Sequence, residues 1–224
     1  MGEAISAFEL IPAQSFDFLT ETHPDLQHPF QETPAWSILT EFGMGPGSAP
    51  QDRMAKVFET AFEAGIALDG TIAQSGKQRD AFWALRETIP EANRRIGSIA
   101  SHDISLPLSE IPGFITDTKS ALERVLPCRI NAFGHLGDGN LHYNVFPPVG
   151  EDRATYRPKA PDVTRLIHDR VTARGGSFSA EHGVGRAKVN ELERLGDPAK
   201  LAVMQAIKTA LDPIGIMNPG AVLR

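Results

Sequence analysis

The sequence lacks several features that would assign it to particular classes of protein. Cys128 is the only cysteine among 224 residues, which excludes an intrachain disulfide and a metal cluster built on cysteines. A lone thiol is typical of reducing compartments, so we expect a cytoplasmic location. No apolar run approaches the roughly 20 residues that cross a bilayer, and the N-terminus has no signal-peptide pattern. We therefore expect no membrane span.

Basic runs and nucleotide-binding motifs are also missing. The formal net charge is −6 and no segment is rich in Lys or Arg, so nucleic acid is not an expected partner. No Gly-x-Gly-x-x-Gly motif follows a predicted strand, and Gly183-x-Gly185 is too short to count as one. We therefore expect no dinucleotide-binding domain in this chain.

Hydrophobic periodicity instead predicts short strands and helices in alternation, with one hairpin among them. Strands are predicted over 4–11, 36–43, 66–73, 99–107 and 177–182, the hairpin over 129–147, and helices over 13–22, 51–64, 77–95, 109–125, 162–174 and 197–211. Pro90 is expected to break or kink the helix in which it falls. A hairpin among short segments favours an α+β fold with a mainly antiparallel sheet over a doubly wound parallel sheet.

The predicted hairpin carries two histidines, His135 and His142, on either side of an Asp-Gly pair. Asp-Gly is typical of the two-residue type I′ turn, which needs positive φ at both central positions. Such a turn at 138–139 would place His135 directly opposite His142, with Cβ atoms roughly 4.5–5.5 Å apart. Because side chains alternate along a strand, one face would be apolar and the other would present His135, Asn140, His142 and Asn144.

Two neighbouring imidazoles suit a divalent metal, because each supplies a neutral nitrogen ligand. Glu181, in the segment 179–185, is the candidate third ligand, and such a set leaves a coordination position open for a substrate. Zinc, manganese or iron would suit these ligands, and zinc is the metal we expect first. The alternatives are a hairpin with two solvated or hydrogen-bonded histidines, and a Glu181 that forms only a surface salt bridge or a turn.

The histidine hairpin, the segment 179–185 and the ending over 211–220 resemble a known family. They are similar to the C-terminal half of the FAD-linked oxidases of the vanillyl-alcohol oxidase superfamily, most of all to the D-2-hydroxyglutarate and D-lactate dehydrogenase branch, from about Ser6 to Leu223. The resemblance implies a ferredoxin-like cap domain, its sheet flanked by helices, over 1–182 and a small helical segment over 183–224. It also implies FAD as cofactor, held mainly by an N-terminal FAD-binding domain or subunit that is absent from this chain.

The resemblance also implies roles for single residues. His182 matches the family's general base, which takes the hydroxyl proton while hydride leaves Cα for a flavin, and its alternative role is a fourth metal ligand. Arg86 matches an arginine that binds a substrate carboxylate, and Asn218 lies where the family's C-terminal segment nears the flavin. Asn144, on the histidine face, could donate to a substrate carboxylate. The alternatives are an exposed, ion-paired Arg86, a hydrogen-bonded strand amide at Asn144 and a helix-terminating turn at Asn218.

Three positions depart from the pattern of the resembled family. Pro90 and Ser101 stand where the hydroxyglutarate enzymes carry a threonine and a lysine, and Ala221 replaces the lysine of a frequent Asn-Pro-Gly-Lys ending. Losing that hydroxyl and that ammonium group would weaken the binding of a second substrate carboxylate. The resemblance therefore predicts the substrate- and metal-binding half of an FAD-dependent dehydrogenase. It would oxidise a small D-2-hydroxy acid to a 2-oxo acid and pass electrons to an acceptor that the sequence does not identify.

Two other functions stay open at this point. The His/His/Glu set would also suit a flavin-independent, metal-dependent hydrolase. A chain that kept the fold without an FAD-binding domain could instead be a non-catalytic binding module. Assembly into a homodimer is also left open by the sequence.

Overall fold

The computed structural model describes residues 5–43 and 50–224. The strands are β1 (Ile5–Pro12), β2 (Trp36–Phe42), β3 (Ala100–Ser105), β4 (Arg129–His135) and β5 (Asn140–Phe146). The α-helices of these ranges are α1 (Ala13–Thr22), α2 (Pro50–Glu63), α3 (Gly76–Ile96), α4 (Ile111–Glu123), α5 (Arg153–Tyr156), α6 (Ala160–Ala173), α7 (Val189–Leu195) and α8 (Pro198–Leu211). None of the described helices is long and apolar enough to span a bilayer.

The five strands form one sheet in the order β2-β1-β4-β5-β3. Every neighbouring pair in this order is antiparallel. Helices separate and follow the strands, and the last two helices form a C-terminal helical segment. The expected α+β fold, with an antiparallel sheet and flanking helices, is therefore confirmed.

Helices cover both faces of the sheet, and each face has a hydrophobic core of its own. On one face, Leu141 and Tyr143 of β5 pack in a cluster with Phe114 of α4 and Ile167 of α6. The cluster on the other face joins β4 and β5 to helices α1 and α3, and its buried members are Ile11, Phe16, Phe18, Leu19, Leu85, Ile89, Ala92, Phe133 and Phe146. Strands β4 and β5 thus lie between two helical layers. Burying one large apolar side chain fully contributes about 1.5–3 kcal/mol, so both clusters stabilise this arrangement.

The strand predicted over 66–73 does not form. These residues have no regular structure, and the side chains of Ile66 and Leu68 are largely exposed. The apolar run is short and is followed directly by Asp69 and Gly70, two residue types that strands disfavour. A short apolar run does not form a strand by itself, because a strand also needs a neighbouring strand to pair with.

The strand predicted over 177–182 is also wrong. Ser177 makes an isolated antiparallel bridge to Ser105 at the end of β3, and the following residues form bends and turns. The reason lies in the backbone amides of Glu181 and the residue after it, which donate to the side chain of Asp103. A strand neighbour would have required those same amides.

Pro90 does not break α3, which runs through it without interruption. The proline removes one backbone hydrogen bond and its ring crowds the preceding turn, which costs about 3 kcal/mol in an isolated helix. Here, Leu85 and Ile89 anchor α3 in the core just before the proline, and Ala92 anchors it just after. Most helical stability in proteins comes from such packing, and in α3 it outweighs the lost bond.

Polar contacts within the C-terminal helical segment hold the start of α8 and the end of the chain in place. The carboxylate of Asp197 caps α8 by accepting hydrogen bonds from the amides of Ala199 and Lys200, as the sequence suggested. After α8, the amide of Val222 donates to the carbonyl of Gly185 at 2.7 Å. The end of the chain is thus fastened to the loop that contains Glu181.

Candidate functional site

The two hairpin histidines lie on one face of the sheet, but not in the predicted register. His142 is paired with Phe133, and His135 pairs with Glu9 of β1 instead. The reason is the connection, which is a 3-10 turn over Leu136–Asp138 that ends at Gly139, rather than a two-residue turn. Because the slip is by two residues, side chains keep their faces, and the two imidazole rings still lie 5.7 Å apart between centroids.

Gly139 explains why the connection takes this form. Its φ is +70°, and a Cβ built there would lie 2.2 Å from the carbonyl oxygen of Leu106, so no other residue fits without backbone movement. The Asp-Gly pair therefore does mark the turn, although as the end of a 3-10 turn. Sequence alone does not separate these two hairpin geometries.

The structure brings His135, His142 and Glu181 together as predicted. One ligand atom from each of the three lies within 4.8 Å of the other two, and His135 Nε2 is 3.4 Å from Glu181 Oε1. Tetrahedral ligands at about 2.0–2.1 Å from zinc would lie roughly 3.3 Å apart, so small side-chain rotations would close the set. His142 is the most buried of the three and Glu181 the most exposed, so the cluster opens to solvent on the side of Glu181.

Glu9 fixes the orientation of His135, and sequence reasoning missed it. The Glu9 side chain is 5% exposed, and its Oε1 lies 2.8 Å from Nδ1 of His135. Its other oxygen accepts a hydrogen bond of 2.8 Å from Nε of Arg86. Because an ionised carboxylate only accepts, Nδ1 of His135 carries the hydrogen, which leaves Nε2 free as a metal ligand. The sequence did offer one signal for this role, because Glu9 is an acidic residue in the half of β1 that is buried, and a buried carboxylate needs a partner.

Asp103 of β3 was also missed as a site residue. Its carboxylate, which is 5% exposed, accepts from the amide of Glu181 at 2.7 Å, the amide of His182 at 2.9 Å and Nδ2 of Asn140 at 2.8 Å. Burial alone would raise the pKa of Asp103, but these hydrogen bonds outweigh it and hold that pKa below its usual value. The carboxylate therefore stays ionised beside the histidines.

His142 is held as a neutral imidazole. Burial lowers its pKa, and the carboxylate of Asp103, 3.7 Å from its Nδ1, only partly opposes that shift. A neutral ring is the form that binds a metal. The donor chemistry of the cluster, with two imidazole nitrogens and one carboxylate oxygen, thus fits a divalent metal such as zinc.

His182 lies at the rim of this cluster. Its side chain is 70% exposed, and its ring stacks at 6.2 Å on that of His142. Nδ1 of His182 is 3.5 Å from Asp103 Oδ2, while its ligand atoms are outside the group of three that share metal-like spacing. This placement suits a base next to a metal-bound substrate better than a fourth ligand.

The residues predicted to bind substrate or flavin have different surroundings. Arg86 is buried, pairs with Glu9 and lies over the ring of Phe133 at 4.9 Å, so the alternative of an exposed helix arginine is wrong. Asn144 is buried on the histidine face, opposite Ser101 of β3. Asn218 is exposed in a turn after α8, with a φ of +47°. The fold thus brings Arg86 and Asn144 to the histidine face, whereas Asn218 is exposed on the C-terminal segment.

Comparisons with known proteins agree on one family. Residues 1–222 match the family described as FAD linked oxidases, C-terminal domain. The chain is 33% identical over 224 residues to the mitochondrial D-2-hydroxyglutarate dehydrogenase of Arabidopsis thaliana, covering 100% of this chain and 39% of that protein. It is 36% identical over 214 residues to the D-2-hydroxyglutarate dehydrogenase of Xanthomonas citri pv. viticola, covering 92% and 45%. The chain thus spans less than half the length of these curated relatives.

A solved structure shares the fold. The 4-ethylphenol oxidase from Gulosibacter chungangensis, in its isoeugenol complex, superposes with a TM-score of 0.57 over 96% of this chain and 47% of that one. The sequences are 16% identical, so this likeness speaks for the fold alone.

Proposed function

The chain belongs to the FAD-linked oxidase C-terminal domain family, and from that premise we propose that it is the substrate- and metal-binding part of a D-2-hydroxy-acid dehydrogenase. The observation that carries this proposal is the cluster of His135, His142 and Glu181 beside the exposed ring of His182. Family membership favours this function over a flavin-independent hydrolase or a non-catalytic module, and it implies an FAD-binding partner domain.

The metal ligands and the base would act on one hydroxyl group. A divalent metal bound by the three ligands would act as a Lewis acid on the substrate hydroxyl and lower its pKa. Zinc is the ion we propose first, because two imidazoles and one carboxylate with an open position are typical of its catalytic sites. The ring of His182 would take the hydroxyl proton. Its Nδ1 lies against Asp103, so Nε2 is the nitrogen free to face a substrate.

Arg86 and Asn144 would bind the substrate carboxylate. Nε of Arg86 is used by Glu9, so a carboxylate would be met by the two Nη nitrogens, in a guanidinium already held in place. Asn144 is buried on the histidine face, where its side-chain amide would donate to the same carboxylate. Both groups would orient a small 2-hydroxy acid whose hydroxyl points to the metal cluster.

FAD, when bound, accepts the hydride equivalent that leaves Cα of the substrate. The described residues contain no Gly-rich phosphate-binding turn, so the cofactor would be held mainly by the partner domain. Asn218 is proposed to approach the flavin, because its segment is fastened to the loop that carries Glu181 and His182. The isolated chain is therefore expected to be colourless and inactive.

A chimeric enzyme tests the proposal. The part of the Xanthomonas dehydrogenase that matches this chain is replaced by this chain, and reduction of a dye is followed with D-lactate and D-2-hydroxyglutarate. We expect turnover that His182→Gln abolishes and His28→Gln, at a histidine outside the site, leaves unchanged. A chimera that binds flavin but oxidises neither acid would contradict the proposal, as would robust turnover by the isolated 224-residue chain.

A further inference from the structure

Three consecutive backbone amides of the loop that contains Glu181 donate hydrogen bonds to one residue of β3, Asp103. The amide of Ala180 donates to the carbonyl of Asp103 at 3.1 Å, and the amides of Glu181 and His182 donate to its Oδ2 at 2.7 and 2.9 Å. This loop has no regular structure, so no strand or helix holds these residues. Asp103 therefore supplies the contacts that set the backbone position of the proposed ligand and of the proposed base.

The same carboxylate also faces two imidazoles. Its Oδ1 lies 3.7 Å from Nδ1 of His142, and its Oδ2 lies 3.5 Å from Nδ1 of His182. The carboxylate is itself held by β3 and by a hydrogen bond of 2.8 Å from Nδ2 of Asn140. One buried group on β3 thus faces both His142, a proposed metal ligand, and His182, the proposed base.

From this geometry we propose that Asp103 is a positioning residue that fixes Glu181 and His182 relative to the two hairpin histidines. The inference rests on the proposed function, since it needs Glu181 to bind a metal and His182 to act as the base. It assigns Asp103 no contact with the substrate. Its role is to place two neighbouring residues of an irregular loop, so that metal affinity and proton transfer depend on one carboxylate.

The proposal depends on acceptor geometry, and three substitutions separate geometry from charge. In Asp103→Asn, the new amide oxygen can still accept from both loop amides. Its NH₂ replaces the oxygen that faces Nδ2 of Asn140, so the Asn140 side chain must turn its amide over and accept with Oδ1, which is buried without a partner. Asp103→Glu keeps the charge but displaces the acceptor by one methylene. Asp103→Ala removes the acceptor. If Asp103 acts by positioning, Asp103→Asn should therefore keep metal affinity and loop order, whereas Asp103→Glu and Asp103→Ala should lose both.

The test uses the whole 224-residue chain and three readouts. Zinc affinity is measured by competition with a chromophoric chelator, and the absorption of bound Co²⁺ reports the ligand geometry. Amide hydrogen exchange at Glu181 and His182 reports the loop directly. Asp197→Ala is the matched control, because Asp197 also accepts from two backbone amides, at the start of α8 and away from the cluster.

We expect zinc affinity to fall ten- to a hundredfold in Asp103→Ala and Asp103→Glu, the size typical of lost outer-sphere support. The Co²⁺ spectrum should change in both, and protection of the Glu181 and His182 amides should be lost. Asp103→Asn should stay within about tenfold of the wild-type affinity, with the protection kept. The control should leave metal binding unchanged.

The results that would overturn the inference are distinct from those that overturn the proposed function. Wild-type affinity in a folded Asp103→Glu or Asp103→Ala protein overturns the positioning role, and so does an equal loss in the control. A wild-type chain that binds neither ion overturns the proposed metal site. In that case the amide exchange still decides whether Asp103 holds the loop.

Discussion

Nδ1 of His135 lies 2.8 Å from Oε1 of Glu9, although the two residues are 126 positions apart in the chain. The pairing of β1 with β4 creates this contact, since Glu9 and His135 are register partners. It decides which nitrogen of His135 faces His142 and Glu181, and it links this proposed metal site to Arg86 through the second oxygen of Glu9. The following predictions test this arrangement and the rest of the site.

Glu9→Gln should destabilise the protein strongly. The substitution removes the charge that compensates the buried guanidinium of Arg86, and breaking a buried ion pair costs about 3–5 kcal/mol. The control is Glu21→Gln, which disrupts a more exposed pair with Arg129 and should cost below about 1 kcal/mol. Denaturant unfolding of both variants measures the difference, and equal losses would contradict the assigned role of Glu9.

Metal binding should depend on the three predicted ligands. The isolated chain is expected to bind one zinc ion, because His135, His142 and Glu181 all lie within it. His135→Ala and Glu181→Ala should each abolish stoichiometric binding, whereas Glu193→Ala, at an exposed glutamate of α7, should not. Elemental analysis after gel filtration is the measurement. The same metal content in all of these proteins would rule out a site at this cluster.

The free energy of unfolding should fall in mild acid because of two buried histidines. Nδ1 of His102 lies 3.2 Å from Nε2 of His168, whose Nδ1 is 2.8 Å from Glu191. Burial, with His168 and Lys188 nearby, lowers the pKa of His102 to about 3, and burial also lowers the pKa of His168 against the opposing effect of Glu191. Both rings are therefore neutral in the folded protein at neutral pH.

The sign of the effect follows from proton uptake. Histidine in the unfolded chain titrates near pH 6.5, so below that pH the unfolded state binds more protons than the folded state. The contribution of His102 is fully present above about pH 6.5 and is lost toward about pH 3, by about 1.4 kcal/mol per pH unit, and the lowered pKa of His168 adds a loss in the same direction. His102→Gln should remove about one proton from the slope between about pH 6.5 and 4.5, whereas His28→Gln should leave that slope unchanged. An unchanged slope in both variants would contradict the prediction.

The substrate is expected to carry one carboxylate, or a second one that is held loosely. Ser101 lies opposite Asn144 and has an exposed side chain, so it offers no cation at a position on the histidine face. A charge-assisted hydrogen bond contributes about 1.5–3 kcal/mol, so its absence should cost roughly ten- to a hundredfold in specificity for a dicarboxylate. In the chimera, kcat/KM should therefore not favour D-2-hydroxyglutarate over D-lactate by as much as tenfold.

A gain-of-function variant makes that prediction sharper. Ser101→Lys should raise kcat/KM for D-2-hydroxyglutarate roughly ten- to a hundredfold and leave that for D-lactate nearly unchanged. Ser109→Lys, which adds the same charge at an exposed position outside β3, should change neither. If the unmodified chimera already prefers D-2-hydroxyglutarate by tenfold or more, then another cation, such as Arg94 or Arg95, serves the second carboxylate.

Much of the fold and the centre of the site were predictable, because their signals are local. Alternation along the hairpin put His135 and His142 on one face, and this survived a two-residue error in register because side-chain direction repeats every two residues. The helix at Ala13–Thr22 and the cap of α8 at Asp197 likewise follow from spacing and residue type. The choice of Glu181 as third ligand came from its segment's motif, and the structure places it 3.4 Å from His135.

The carboxylates that organise the site could not be found this way. Glu9 reaches His135, and Asp103 reaches Glu181, across 126 and 78 positions of chain, and no local pattern encodes which strands pair. The predicted strand at 177–182 failed for the same reason, since its amides were taken by a side chain of another element. The sequence alone supplied the candidate metal ligands and the candidate base, and these roles stay predictions. Only the tertiary structure decided which nitrogen of His135 faces the cluster and what holds Glu181 and His182 there, because buried charges are stabilised by partners that the fold brings from far along the chain.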